Sequence, residues 1–380
     1  MTIQIDGVNT VNKGAELMLR AVVKEIEENK KASVTYLVYN DNALNAADLD
    51  IETGLIVKHL LPSRRLRLLI GKMRLVGICH RLNLPFNEMF LPRDPGVNLV
   101  LDAAGYRFSQ HWKIGGLGLR MVMAYYKSFT NAEVVLLPQT FGPFNGKNDH
   151  LFRKILNEHV NKIYARDSLS FLHLKALGVN MKKVSIAPDF TTLVSVEGPN
   201  RIRDEVLFIP NARMIDRTGA NGAGYVSFIA NLVNTLRDSG LEVVFLNHEG
   251  RRDLGLCERI VKETGGSHRI IDGLNAIEIK RRISESRLLL SSRYHGCASA
   301  LSTGTPCLST SWSHKYAELF TEYGMRDMVL HIDDPIIAAD KILSCYEEDR
   351  NLQIREKLVS GRTALVKKNR AMWQEILSRI

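Results

Sequence analysis

Arg293 and His295 stand two residues apart in the run Ser291-Ser292-Arg293-Tyr294-His295-Gly296-Cys297-Ala298-Ser299-Ala300-Leu301-Ser302-Thr303-Gly304-Thr305-Pro306. An arginine offers a rigid, permanently charged fork for a carboxylate or phosphate. A histidine moves a proton near neutral pH. Together they point to an anionic substrate and an acid–base step. The run follows Leu288-Leu289-Leu290, which reads as a buried parallel strand. Both residues are therefore expected at the strand's carboxyl end, just before a helix of small residues from about Cys297. That end of an open α/β sheet is where ligands bind. The plainer reading of the same segment is a strand-to-helix turn with two solvated polar side chains.

Other candidates occupy similar places. The loop Gly7-Val8-Asn9-Thr10-Val11-Asn12-Lys13-Gly14-Ala15-Glu16 joins the first strand to the first helix. Unpaired N–H groups and the positive end of the helix dipole would gather there, with Lys13 adding a full charge, which suits an anion or a sugar. Lysine precedes Gly14 and no Gly-Lys-Ser/Thr follows, so the loop is not a P-loop, and it lacks the G-x-G-x-x-G spacing of dinucleotide sites. Asp102, directly after another apolar run, is placed either to orient a substrate hydroxyl or to cap a turn. Gln139 lies before the Gly142-Pro143 turn and is placed to reach the ligand. Arg166 ends a strand where an anion would sit, with Asp167 or Ser168 as the following helix cap.

The elements that must position these residues alternate along the chain. Strands are predicted at Ile3–Ile5, Val34–Val38, Leu99–Asp102, Val134–Leu137, Ile163–Ala165 and Val184–Ile186, with helices at Ala15–Glu28, Leu117–Ser128, Leu151–Val160 and Ser168–Leu177. After a linker at Val194–Arg203 a second series begins. It has strands at Val206–Ile209, Val243–Leu246, Leu288–Ser291 and Cys307–Thr310, and helices at Tyr225–Arg237, Leu254–Thr264, Ala276–Ser284 and His314–Tyr323. From Asp334 onward the pattern is helical. Alternating β and α elements imply parallel sheets with right-handed crossovers. The expectation is an α/β protein with two Rossmann-like domains, 1–195 on the acceptor side and 203–345 on the donor side, followed by terminal helices over 346–380. Its site is expected in the interdomain cleft of a glycosyltransferase-B-like architecture.

A chain of 380 residues is too long for one ordinary core. No apolar stretch approaches the roughly 20 residues that span a bilayer, and the start Met-Thr-Ile-Gln-Ile-Asp lacks a secretory signal, so a cytoplasmic protein is expected. The five cysteines (Cys79, Cys257, Cys297, Cys307, Cys345) are scattered and never spaced C-x-x-C, which argues against structural zinc or a disulfide framework. The net charge of +10 favours acidic partners. Nucleic acid is the weakest of these, because no zinc-finger, RNP-type or basic-zipper pattern is present.

The segment 63–82 stands apart. It carries Arg64, Arg65, Arg67, Lys72, Arg74 and Arg81 among Leu66, Leu68, Leu69, Ile70, Met73, Leu75, Val76 and Ile78, with no acidic residue. Such a segment suits a basic surface helix packed on its own domain, or else peripheral contact with an anionic membrane on the inner face.

Taken in order, Asn-Lys-Gly-Ala-Glu (12–16), Pro-Gln-x-x-Gly-Pro (138–143), Ala-Arg-Asp-x-x-Ser (165–170), Ala-Pro-Asp (187–189), Ser-Arg-Tyr-His-Gly (292–296) and Gly304-Thr305-Pro306 followed by Lys315 resemble the polysaccharide pyruvyl transferase family. The resemblance runs from about Ile5 to Gly324. It implies transfer of the pyruvyl group of phosphoenolpyruvate onto sugar hydroxyls of a cell-surface polysaccharide or its lipid-linked precursor, forming a ketal and releasing phosphate. It implies His295 as the acid–base residue, and Arg293 and Arg166 on the donor's carboxylate and phosphate. Asn9, Lys13, Gly14, Asp102, Gln139, Ser292, Gly296 and Lys315 are the remaining substrate-binding candidates. Some family members carry a Gly-Asp pair in the first loop and a Gly-rich run after the fourth strand. Gly14-Ala15-Glu16 and Asp102-Ala103-Ala104-Gly105 stand here instead, and these departures bear on the acceptor sugar.

The residue types suit that chemistry. The methylene carbon of phosphoenolpyruvate must be protonated, a hydroxyl attacks C2, phosphate departs and a second hydroxyl closes the ring. His295 is placed either to give a proton to carbon or to remove one from the hydroxyl. No cofactor is called for, and no carboxylate–histidine cluster argues for a metal. Two other readings fit the same architecture: a nucleotide-sugar glycosyltransferase or epimerase, and a non-catalytic glycan- or membrane-binding subunit.

Overall fold

A computed structural model describes residues 1–30, 33–40, 55–59, 96–109, 116–129, 131–217, 220–311, 313–332 and 334–379. The basic segment 63–82 and Cys79 lie outside the described residues. The chain divides into two units, the first comprising 1–10, 18–189 and 370–380 and the second 11–17 and 190–369.

The first unit is built on a parallel sheet of β1 (Thr2–Asp6), β2 (Thr35–Asn40), β3 (Leu55–His59), β4 (Val97–Asp102), β5 (Glu133–Gln139), β6 (Lys162–Ala165) and β7 (Val184–Ile186), ordered β3-β2-β1-β4-β5-β6-β7. The helices in this part of the chain are α1 (Lys13–Asn29), α2 (Gly116–Lys127), α3 (Asp149–Glu158) and α4 (Ser168–Leu177). Strands such as Val134-Val135-Leu136-Leu137 are apolar on both faces and buried, as a parallel sheet covered by helices requires. Leu136, Phe141, Phe152, Ile155 and Ile163 meet in its core.

The second unit repeats the plan with β8 (Arg203–Ile209), β9 (Val243–Leu246), β10 (Ile270–Ile271), β11 (Ser286–Ser291), β12 (Cys307–Thr310) and β13 (Val329–Leu330), ordered β10-β9-β8-β11-β12-β13 and parallel throughout. Its helices are α5 (Arg213–Arg217), α6 (Ala220–Asp238), α7 (Gly250–Glu263), α8 (Ala276–Ser284), α9 (Tyr294–Thr303), α10 (Lys315–Glu322), α11 (Pro335–Tyr346) and the start of the long α12 (Glu348–Leu377). In each sheet the strand order turns back on itself, between β1 and β4 in the first and between β8 and β11 in the second. In an open α/β sheet the carboxyl ends at such a reversal are where ligands bind.

The Rossmann-like elements expected from the apolar runs are present, and Ser168–Leu177, Val243–Leu246, Ala276–Ser284 and Cys307–Thr310 fall on the predicted residues. Three edge strands were not anticipated. β10 and β13 have two residues each, too short for a periodicity, and the Lys58-His59 end of β3 dilutes its apolar run. One boundary matters for function. The helix expected from about Cys297 begins at Tyr294, with Arg293 as its N-cap, because the Cys297 N–H closes a first turn on the Arg293 carbonyl (3.0 Å). His295 therefore belongs to the first helical turn rather than to the end of the strand.

Candidate functional site

The carboxyl edge of the second sheet gathers most of the residues with chemical potential. β11 is buried through Leu288-Leu289-Leu290, so the chain emerges at Ser291 and turns directly into α9. Ser292 is fully buried. Its hydroxyl bonds Thr310 Oγ1 and the Tyr225 hydroxyl, both at 2.6 Å, and its carbonyl accepts from Asn211 (2.9 Å) and Tyr316 (2.7 Å). Ser292 thus faces the protein and anchors the turn that aims its neighbours. Gly296 belongs to the same turn. A Cβ there would fall 2.6 Å from the Ser291 hydroxyl oxygen, so glycine lets α9 start this close to its strand.

The segment 11–17 lies on this edge and accounts for four of the five residues of the Asn-Lys-Gly-Ala-Glu motif. Asn12 Oδ1 accepts the Gly14 N–H (3.0 Å) and caps α1, and Asn12 bridges to Glu249 in antiparallel fashion. The Lys13 ammonium meets Glu16 Oε2 at 2.9 Å, and the Lys13 N–H reaches the His248 carbonyl at 3.4 Å. Gly14 lies against the imidazole of His295: a Cβ at position 14 would sit 2.1 Å from Nδ1. Glu16 is buried, and its Oε1 accepts the Ala276 N–H at the start of α8 (3.2 Å).

Arg293 is held by two carboxylates. Its Nε donates to Asp253 Oδ2 at 2.6 Å, Nη2 contacts the same oxygen, and Nη1 pairs with Glu249. Of the five N–H donors in the fork, three are engaged in this way among the described residues. Burial pushes the Asp253 carboxyl up to about 7, against the Ala212 N–H and the charges of Arg252 and Arg213, and pushes the Arg293 guanidinium down to about 9. Lys315, at the start of α10, sits 5.3 Å from the ring centroid of Tyr294, and that ring meets His295 edge to face at 5.3 Å.

Sequence reasoning missed His248. It follows β9 by two residues, the placement that drew attention to Arg293, but Asn247-His248-Glu249-Gly250 reads as a polar loop. The side chain is 4% exposed, and its Nδ1 has no hydrogen-bond partner among the described residues. Burial, with the charges of Arg293, His295 and Lys13, holds its pKa well below the ordinary value, so the imidazole is neutral at pH 7. Asp253, Glu249 and Glu16 were missed too; the signal for them is contact across the fold, which one sequence does not carry.

The remaining candidates, Asn9, Asp102, Gln139 and Arg166, belong to the first unit. Asn9 lies in the loop after β1. Asp102 is fully buried; its Oδ1 accepts the Ala104 N–H (2.9 Å), and Oδ2 takes Arg107 and the Tyr126 hydroxyl, so it acts as a turn cap and ion-pair partner. Gln139 is fully buried, its Oε1 receiving the Arg107 N–H at 3.4 Å. The Arg166 guanidinium meets Asp189 at 3.4 Å and Thr140 at 2.6 Å and is almost inaccessible, linking the Ala-Arg-Asp and Ala-Pro-Asp motifs. Asp167 caps α4 through the Ser170 N–H (2.6 Å), as anticipated. Among the described residues, no group of three or more metal-ligating side chains is present, and no helix is long and apolar enough to cross a membrane.

Two parallel sheets with reversing strand order, and polar residues at their carboxyl ends, define a glycosyltransferase-B-like α/β protein. Solved structures of this fold include a glycosyltransferase from Rickettsia africae ESF-5 (TM-score 0.57, 12% identity, covering 99% of this chain and 98% of that one). They also include UDP-GlcNAc 2-epimerase from Neisseria meningitidis bound to UDP-GlcNAc (0.60, 10%, 99% and 99%). The N-terminal domain of trehalose-6-phosphate phosphatase from Candida albicans is similar again (0.60, 11%, 100% and 96%). At these identities the likeness is one of fold. Residues 12–314 match the polysaccharide pyruvyl transferase family, and the chain belongs to it.

Proposed function

We propose that this transferase moves the pyruvyl group of phosphoenolpyruvate onto two hydroxyls of a sugar in a cell-surface polysaccharide or its precursor, forming a ketal and releasing phosphate. The observation that carries the reading is the convergence of Arg293, Lys13 and His295 on one sheet edge, in a chain of this family. The Arg293 N–H groups not engaged by Asp253 or Glu249 and the ammonium of Lys13 would receive the donor's carboxylate and phosphate through charge-assisted bonds. Lys315 would add a third charge at the mouth of the site.

His295 would serve as the acid–base residue. Protonation of the methylene carbon leaves an oxocarbenium-like centre at C2, which the sugar hydroxyl attacks. The gathered cations would stabilise departing phosphate. Arg166, engaged by Asp189 and Thr140, is assigned to holding its own turn. In this reading no cofactor is needed beyond the donor substrate.

The direct test compares thermal stabilisation by phosphoenolpyruvate with that by uridine and guanosine diphosphates. The reading expects the enol ester to raise the unfolding midpoint and the nucleotides to leave it unchanged. Stabilisation by a nucleotide alone would favour a nucleotide-sugar glycosyltransferase or epimerase.

A further inference from the structure

Ketal formation from an enol phosphate moves two hydroxyl protons. One must reach the methylene carbon and the other must leave with phosphate. If His295 alone served, it would have to act as acid and base within the same addition. The second sheet edge offers another imidazole. His248 is fixed from both sides: its carbonyl receives the Lys13 N–H, Asn247 reaches Asp272 at 2.7 Å, and Glu249 is paired with Arg293. Its side chain is buried, and Nδ1 lacks a partner among the described residues. A buried polar atom left in this way costs free energy unless a ligand or proton satisfies it.

We propose, building on the pyruvyl-transfer reading, that His248 is a second proton carrier of this site, receiving the proton of the attacking sugar hydroxyl while His295 protonates the methylene carbon. The steps balance. The C2–C3 π pair takes the proton of the His295 imidazolium to form the new C–H bond. The hydroxyl oxygen bonds C2, and its proton passes to neutral His248. The bond from C2 to the phosphate oxygen then breaks, with its electron pair leaving on phosphate. The second hydroxyl forms the second C–O bond, and its proton departs as hydrogen phosphate. Proton return from His248 to His295 restores the starting state.

The charges around His248 give the order of events. Lys13 from α1, and Arg293 and His295 from the turn into α9, disfavour a proton on it. Glu16 offsets Lys13, and Glu249 and Asp253 from the start of α7 offset Arg293. A phosphate-bearing anion seated among the cations removes their repulsion, so His248 becomes a competent base only once the donor is bound.

The test is calorimetry of phosphoenolpyruvate binding near pH 6.5 in buffers of different ionisation enthalpy, with phosphate release measured over a mixed panel of glycan precursors. Wild type should take up a fraction of a proton on binding, His248 staying neutral in the remaining, reactive molecules. His248→Gln should bind phosphoenolpyruvate, lose at least half of that uptake and release phosphate about 10²–10⁴-fold more slowly. Binding with equal uptake in wild type and variant would overturn the proposal and leave the donor assignment standing. Absence of binding in every form would overturn both. If His248→Gln does not fold, histidine NMR titration of the wild-type protein decides: a His248 pKa raised by phosphoenolpyruvate supports the proposal, and one unmoved by it refutes it.

Discussion

Gly14 and His295, 281 positions apart in the sequence, touch so closely that a methyl group on the first would lie 2.1 Å from Nδ1 of the second. The amino-terminal motif therefore packs directly against the histidine ring.

Gly14→Ala should displace the imidazole. Misplacing a reacting group by about 1 Å costs on the order of 10²-fold in rate. The expected result is that loss in turnover with an unfolding midpoint close to wild type, measured by steady-state kinetics beside thermal melts.

Glu16 joins Lys13 to the start of α8. Glu16→Ala takes the acceptor from the Ala276 N–H and should cost about 1–3 kcal/mol in urea unfolding. Glu16→Gln keeps an acceptor there and should recover most of it, because the partly exposed pair with Lys13 contributes only up to about 1 kcal/mol.

Arg166→Ala removes a buried cation from Asp189. Breaking a buried pair in this way costs about 3–5 kcal/mol, so equilibrium unfolding should show a loss of that size. An unchanged unfolding curve accompanied by weaker phosphoenolpyruvate binding would instead return Arg166 to the donor site.

His248 makes stability depend on pH with a definite sign. Its folded pKa lies well below 6.5, so the unfolded chain takes up a proton first as pH falls. This contribution is fully present above 6.5. Stability then declines toward the lower folded pKa by up to about 1.4 kcal/mol per pH unit. Asp253, pushed up to about 7, contributes with the opposite sign over the same range in both proteins, so the difference in urea midpoint between wild type and His248→Gln, measured from pH 7.5 to 5.5, should carry the His248 component and shrink as pH falls.

Much of the fold was legible in the sequence because parallel strands buried on both faces announce themselves as apolar runs, and the residues just beyond such a run occupy a ligand-binding edge. Leu288-Leu289-Leu290 located Arg293 and His295 in that way, and Val243–Leu246 would have located His248 by the same rule. Pairing is what the sequence conceals. Nothing local shows that Arg293 is claimed by Asp253, forty positions upstream, or that Arg166 and Ser292 turn into the protein.

The central claim is pyruvyl transfer with His295 as the proton carrier. The protein, incubated with phosphoenolpyruvate and a panel of glycan precursors, is to be assayed by mass spectrometry and phosphate release, with His295→Ala alongside. One acceptor should gain a pyruvate less one water, with one phosphate released per ketal, and His295→Ala should be slower by about 10²–10⁴-fold. Wild-type turnover undiminished in His295→Ala, or product formed only from a nucleotide sugar, would contradict the account.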